Sequence, residues 1–397
     1  MSDAVEIHGG VADLENSAYV LPSEKVDLSV VKTSSELQEN DRRRERLQLI
    51  ILPTERCNFR CLYCYEDFGH GAMTPQILGA LTNLLKRIGH QLLTLEIDWF
   101  GGEPLLAYDY VKKVMRYVEF DMPKEKRMRL ISGMSTNGFL LSRERLFELT
   151  NLGVDDFQIS FDGDKYEHDK LRVLSGGSPT FDQIWKNVLA AHDSFARFNM
   201  TLRIHLNQMN SQSARELLSR MSRSLGSDPR FAVFIRPLSK LGSSSDSFLP
   251  VLDEEEGLSV TEELQCFARE RGLRVVERPP NFSCYASDPN SFVLRADGTI
   301  AKCTVALYDE RNSVGRLLPN GRLELDEDKI RWWTRGRSTG NEAELRCPLK
   351  SVLVQSTESR RKDDPAQESF AAERGELRLE EFGNVHGGTA THLTGAH

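Results

Sequence analysis

The sequence predicts an α/β fold: a partial (βα)6 barrel of mostly parallel strands, TIM-like in its βα repetition, followed by a small C-terminal α+β extension. Three observations carry that prediction. Six short apolar runs alternate with helix-like stretches from about residue 48 to 238, as repeated βα units do. After about residue 240 the period changes, and a Ser/Gly-rich stretch, "SKLGSSSDS" (239–247), reads as a linker into hairpin-like sequence. Three cysteines follow directly on the first apolar run, at the strand end where a barrel carries its chemistry.

Residues 1–46 are polar, end in the charged "ENDRRRER", and read as an N-terminal extension. The barrel domain is expected over 47–240. Its first strand lies in the apolar run at 48–55, and a helix over 74–89 is signalled by Thr74 as cap and Pro75 at the first helical position. Strand "LLTLEIDWF" (92–100), a helix at 106–119, strand "RMRLISGM" (127–134) and a helix at 142–152 follow. Strand "DFQISF" (156–161), a helix at 180–197, strand "MTLRIHL" (200–206), a helix at 212–225 and strand "RFAVFIRPL" (230–238) complete the series. Six units are fewer than the eight of a closed barrel, so the wall is expected to be curved and open.

A second domain is expected over 250–354. It contains a helix at 260–272 and "SFVLRADGTIAKC" (291–303), whose Asp-Gly between two strand-like runs signals a hairpin. Residues 355–397 hold few large apolar side chains and are expected to be a mobile tail.

The formal net charge of −8 gives no global field to recruit nucleic acid or anionic membrane. No apolar run reaches the ~20 residues of a membrane span, and the first residues lack the basic and apolar regions of a secretory signal. A cytoplasmic location is expected, where thiols stay reduced. Seven cysteines, three of them clustered, then read as metal or redox chemistry and not as a disulfide framework.

The cluster is "TERCNFRCLYCYE" (54–66), with Cys57, Cys61 and Cys64 spaced C-x3-C-x2-C. A closed zinc site wants four ligands, usually as two pairs, and the next cysteine, Cys266, is about 200 residues away. An iron–sulfur cluster held by three thiolates leaves one iron open to another ligand. Further stretches fall on successive strand ends: "WFGGEP" (99–104), "STNGFLL" (135–141), "ISFDG" (159–163), "HDKLR" (168–172) and "RIHLNQMN" (203–210).

Together these motifs, over about 48–240, resemble the radical S-adenosylmethionine (SAM) superfamily. The resemblance implies a 4Fe–4S cluster on Cys57, Cys61 and Cys64, with SAM on the open iron, and a 5′-deoxyadenosyl radical that abstracts a substrate hydrogen. It places Tyr63 near the adenine and Gly101, Gly102, Glu103 and Pro104 at the methionine amino group, with Glu103 as acceptor for that cation. Ser135 and Asn137 would lie beside the cofactor, and Ser160 would face its carboxylate or ribose. Arg172 is a carboxylate-binding candidate by charge and geometry, and Arg203 and Asn207 are weaker companions. Asp162 would stand at the mouth of the site, as proton acceptor or, preferred here, as positioning residue.

The wording of the motifs is closest to the branch that modifies peptides and proteins, which includes anaerobic sulfatase maturases and enzymes that crosslink ribosomally made peptides. That branch carries a SPASM or shorter twitch extension with auxiliary iron–sulfur clusters. Here the extension is reduced: Cys284, Cys303 and Cys347 are candidates for one auxiliary cluster, and each also admits a structural reading. Cys266, beside Leu264 and Phe267, reads as a small buried hydrophobe. Trp99 reads as core, His168 as a surface hydrogen-bonding group, and His386, His392 and His397 as too scattered for a metal site.

The resemblance implies a peptide maturase that takes a side-chain hydrogen from a precursor peptide and leaves a crosslink or oxidation, with flavodoxin or ferredoxin as electron donor. Residues 1–45 are a candidate leader-peptide contact. The rivals are a sulfatase-maturase-like or small-molecule radical reaction, a non-catalytic metal-cluster protein, and a decayed paralogue that binds SAM without turnover.

Overall fold

The computed structural model describes residues 45–124, 127–241 and 246–349. The tail at 355–397, nearly all of the N-terminal extension and the centre of the 239–247 linker lie outside the described residues. In chain order the strands are β1 (Arg46–Ile51), β2 (Phe59–Cys61), β3 (Thr94–Trp99), β4 (Arg129–Thr136), β5 (Asp156–Phe161) and β6 (Arg172–Leu174). Then come β7 (Asn199–Leu206), β8 (Phe231–Pro237), β9 (Ser291–Leu294), β10 (Thr299–Ala301), β11 (Ser313–Leu317) and β12 (Leu323–Leu325).

Six strands form the barrel wall, all parallel and in the order β1-β3-β4-β5-β7-β8. They are the six read from sequence. The alternation along each strand explains why: Leu47, Leu49 and Ile51 join the main apolar core with Leu81, Leu84 and Leu85 of the helix Pro75–Ile88, while Arg46 and Gln48 project to the other face. That helix starts as its sequence indicates, with Thr74 Oγ1 accepting from the Ile77 N–H and Pro75 in the first turn. Ser142 caps the helix Arg143–Asn151 in the same way.

The inner face of the wall is polar. Gln48 Nε2 donates to Asp98 at 2.8 Å, and Gln158 Nε2 donates to Ser135 Oγ at 3.4 Å. Parallel register carries this face onward from Ser160 to Arg203 and from His205 to Arg236.

Several elements were not legible. The first strand starts at Arg46, which is buried and paired with Glu96, so the barrel begins inside the segment read as extension. β2 and β6 form a two-stranded antiparallel ribbon that sets Cys61 opposite Arg172. The expected hairpin is present as β9 and β10, and β9 also pairs in parallel with β1. The extension therefore continues the barrel sheet, through β10, β11 and β12, into one ten-stranded sheet. The helix Glu327–Thr339 packs over it, with Trp333 Nε1 donating to Arg311 O at 2.9 Å.

Two packing expectations are overturned. Cys266 is exposed on its helix, not buried, because the inward stripe is taken by Leu264 and Ala268. His168 is fully buried, not on a surface loop: it lies in the helix Lys165–Leu171, and its Nε2 meets Thr180 Oγ1 at 3.1 Å between Phe161 and Phe181. Trp99 is core, as expected.

Candidate active site

The loop after β1 carries Cys57, Cys61 and Cys64, and its shape depends on two glycines of the next loop. A Cβ on Gly101 would lie 2.3 Å from Thr54 O, and one on Gly102 would lie 2.4 Å from Arg56 O. Gly101 also has φ +116°, so only glycine allows the two loops to lie backbone to backbone. The Glu103 N–H donates to Arg56 O at 2.9 Å across that contact.

Glu103 is fully buried. Oε1 accepts from Leu105 N at 3.0 Å and Thr136 Oγ1 at 2.7 Å, and Oε2 accepts from Asn137 N at 2.7 Å. The carboxylate is a staple between the "GGEP" and "STNG" loops, and one acceptor position on Oε2 is left over. Pro104 starts the short 3-10 turn that follows.

Asn137 closes the third side. Its Nδ2 donates to Asn58 Oδ1 at 2.8 Å and lies 3.9 Å from Cys57 Sγ, while its Oδ1 accepts from Phe139 N. Cys57 Sγ accepts from the Phe59 N–H at 3.3 Å. Asn58 thus belongs to the site, although nothing in its sequence position marks it.

Across the lumen, Tyr63 is held by three partners. Its hydroxyl donates to Asp162 Oδ2 at 2.7 Å, receives Arg172 Nη1 at 2.6 Å, and lies 3.3 Å from His205 Nδ1. His205 Nδ1 meets the other Asp162 oxygen at 2.9 Å. Burial would raise the Asp162 pKa, but the His205 hydrogen bond and the Arg172 charge bring it down to about 2. Burial and the nearby Arg203 lower His205 to about 4. A carboxylate with no exposed surface and both oxygens engaged is poorly suited to accept a proton. Ser135 and Ser160 lie on the lumen faces of β4 and β5. Asn207 is spent on its own turn, with Oδ1 accepting from Met209 N at 2.7 Å.

The thiols themselves are hard to ionise in a dry site. Burial pushes Cys57 up to about 12 and Cys64 up to about 11, and raises Cys61 despite Arg172. Each of these groups also feels another member of the triplet or its acidic surroundings. Among the described residues no three His, Cys, Asp or Glu side chains close on a single ion. A thiol set that is close but unconverged suits a cluster, which spreads its ligands over several metal corners, and metal ligation removes the thiol protons outright. The donor set and the glycine cradle beside it fit such a group.

A second thiol set gathers in the extension. The Cys284 N–H donates to Leu345 O at 2.8 Å, which draws the Cys347 segment against it. Cys303 follows β10, with its N–H bonded to Asn312 Oδ1 and its Sγ accepting from Val305 N at 3.4 Å. Burial pushes Cys284 up to about 12, with Cys303 and Cys347 adding to the rise. Tyr65 was missed by sequence reading: it lies within electrostatic reach of Glu66, Cys303 and Cys64, members of both thiol sets among them. Its only signal was its place in "CLYCYE".

Fold and site together define a radical SAM domain, and residues 51–219 match the family model described as the radical SAM superfamily. The matched stretch is a radical SAM domain, and members of that superfamily use a 4Fe–4S cluster and SAM. Among sequence relatives, the GTP 3',8-cyclase of Synechococcus sp. (strain CC9902) is 28% identical over 210 residues, covering 50% of this chain and 59% of the cyclase. The PqqA peptide cyclase of Rhodopseudomonas palustris (strain ATCC BAA-98 / CGA009) is 30% identical over 136 residues, 33% of each chain. The chain thus spans well under two thirds of either relative. Native anSMEcpe with bound AdoMet and Kp18Cys peptide shares the fold, with TM-score 0.55 and 17% identity over 72% of this chain and 80% of that one. Among the described residues no helix is long and apolar enough to cross a membrane.

Proposed function

We propose that this protein is a peptide maturase: a radical SAM enzyme that takes a hydrogen from a side chain of a ribosomally made peptide and leaves a crosslink or an oxidation. Cys57, Cys61 and Cys64 would hold the 4Fe–4S cluster. When bound, cluster and SAM together supply the 5′-deoxyadenosyl radical that abstracts the hydrogen. The chain's own residues bind and orient. The backbone of Gly101, Gly102 and Pro104 offers carbonyls to the methionine amino group, with Glu103 fixing the turn from behind. Asn137 and Ser135 line the side next to Cys57, and Ser160, Arg172 and Arg203 face the carboxylate and ribose. Asp162 holds Tyr63 against the adenine position through the hydrogen bond at 2.7 Å.

The observation that carries the peptide reading is the second thiol triplet, Cys284, Cys303 and Cys347, gathered in an extension whose sheet continues the barrel's. The triplet would suit an auxiliary cluster, and the fold shared with the peptide-bound anSMEcpe structure supports the peptide reading. A small-molecule reaction is the second reading, favoured by the cyclase relative. A cytoplasmic enzyme of this kind would draw electrons from a flavodoxin or ferredoxin.

The test is anaerobic reconstitution with iron and sulfide, followed by dithionite-driven SAM cleavage in the wild type and in a Cys57/Cys61/Cys64→Ala variant. 5′-Deoxyadenosine from the wild type alone is expected. Mass spectrometry after incubation with a precursor peptide should then show a loss of hydrogen from the peptide. Turnover of GTP with an unchanged peptide would replace this reading by the second one, and no SAM cleavage would remove both.

A further inference from the structure

Three guanidinium groups meet toward the C-terminal end of the last two barrel strands, and two of them, Arg236 and Arg278, have no carboxylate to balance them. Arg203 of β7 pairs in register with Phe234 of β8, and His205 with Arg236. Arg203 and Arg236 therefore lie on the same, inner face of adjacent strands. Arg278 arrives from the other side of β8. Val275 bridges in parallel to Val233, and the Val276 N–H donates to Val233 O at 2.8 Å. Arg278 and Arg236 each follow that bridge by three residues, on parallel headings.

The arrangement is electrostatically unfavourable as it stands. Burial, then Arg278 and Arg203, lower the Arg236 pKa to about 10, and Arg278 likewise lowers Arg203. Among the described residues none of the three has an ion-pair or hydrogen-bond partner, and the Arg203 Nε is buried without one. The buried arginines Arg46 and Arg295 are matched, with Glu96 and Glu55. Like charges held close together repel, and a planar guanidinium pair matches the oxygens of a carboxylate or phosphate. The acidic groups that act on both Arg236 and Arg278 are the thiols Cys284 and Cys347, while Arg203 feels Tyr63, Tyr65 and Asp162.

We propose that Arg236 and Arg278 form an oxyanion site, next to the cofactor-facing Arg203, that holds an acidic group of the substrate, a carboxylate or a phosphate, between the barrel lumen and the second cysteine triplet. The site takes its meaning from the proposed radical SAM active site, but anion binding at it does not require SAM cleavage.

The experiment uses the full chain, reconstituted anaerobically, titrated calorimetrically at low salt with tripolyphosphate and, separately, with a tetraglutamate peptide. One probe is expected to bind the wild type at one site per chain. Arg236→Gln and Arg278→Gln should each weaken that binding roughly tenfold, with iron content unchanged, while Arg322→Gln on the far β11–β12 turn should not. Arg278 is exposed, so its substitution leaves the fold intact and keeps the test decisive. Preference for tripolyphosphate identifies a phosphate source, and preference for the peptide a carboxylate. Binding of neither probe overturns the proposal, as do variants that bind as tightly as the wild type. Loss of iron with unchanged probe affinity overturns it too, since the arginines would then balance the thiolates. SAM cleavage in the same samples judges the proposed function separately: cleavage without probe binding sinks only the oxyanion site, and probe binding without cleavage sinks only the enzyme reading.

Discussion

The Arg295 guanidinium closes a two-pronged pair on the Glu55 carboxylate, 240 residues earlier in the chain, with Nε to Oε1 at 3.0 Å and Nη2 to Oε2 at 2.6 Å. Glu55 stands two residues before Cys57, and Arg295 lies between β9 and β10. The pair therefore ties the first cysteine loop to the extension, beside the sheet bond from Leu52 N to Leu294 O.

Breaking this pair from one side should be expensive. Both side chains are buried, so Arg295→Ala or Glu55→Ala leaves a lone charge and is expected to destabilise by about 3–5 kcal/mol. Replacing both at once, Glu55→Leu with Arg295→Met, should recover most of that loss. Chemical denaturation of the four proteins measures it; a single variant within about 1 kcal/mol of wild type would show that the pair is not needed.

Glu103 makes a sharper case, because shape and hydrogen bonding can be separated. Glu103→Gln keeps the volume but points an amide donor at one of the backbone N–H groups of Leu105 and Asn137 or at Thr136. It is expected to cost about 1–3 kcal/mol of stability and to weaken SAM binding by loosening the turn. Equal stability and equal SAM affinity in the variant would show that the staple does not organise the site.

Iron counting distinguishes the two thiol sets. Cys57/Cys61/Cys64→Ala and Cys284/Cys303/Cys347→Ala should each remove one cluster's iron from the reconstituted protein, and only the first should abolish SAM cleavage outright. If the second variant keeps all its iron, the extension holds no cluster.

The lumen carboxyl Asp98 offers a pH prediction with a definite sign. Burial raises its pKa from 3.8 to about 6, against the hydrogen bond from Gln48. The folded chain then holds a proton that the unfolded chain has released, so stability from this group is present below 3.8 and is lost as pH rises through about 6. Asp98→Asn, which still accepts from Gln48, should be more stable than wild type at pH 8 by about 2–3 kcal/mol and no more stable near pH 3.5. A pH-independent difference between the two proteins would rule out this titration as its source.

Much of the barrel was legible because its signals are local. A capped start such as Thr74-Pro75, a strand such as "DFQISF" and an Asp-Gly turn are each decided by neighbouring residues. The cysteine spacing and the "GGEP", "STNG" and "ISFDG" stretches are equally short, and each falls on a loop that meets the lumen. The ribbon of β2 with β6 was not legible, since each strand has three residues and its partner lies about 110 positions away. The burial of His168 and the exposure of Cys266 were missed for a related reason: a helix face is chosen by what packs against it.

The sequence by itself determined the six βα units, the three-thiol loop with its family motifs, and the hairpin of the extension. Those are patterns of period, turn chemistry and spacing, written within a few residues. Tertiary structure alone decided that β9 would join β1, that Glu103 would act as a staple, and that Asp162 would be locked by Tyr63 and His205. It alone brought Arg203, Arg236 and Arg278 together. Each of these depends on contacts between distant segments, where burial and lost solvation fix a side chain's charge and partners, and no local pattern encodes that environment.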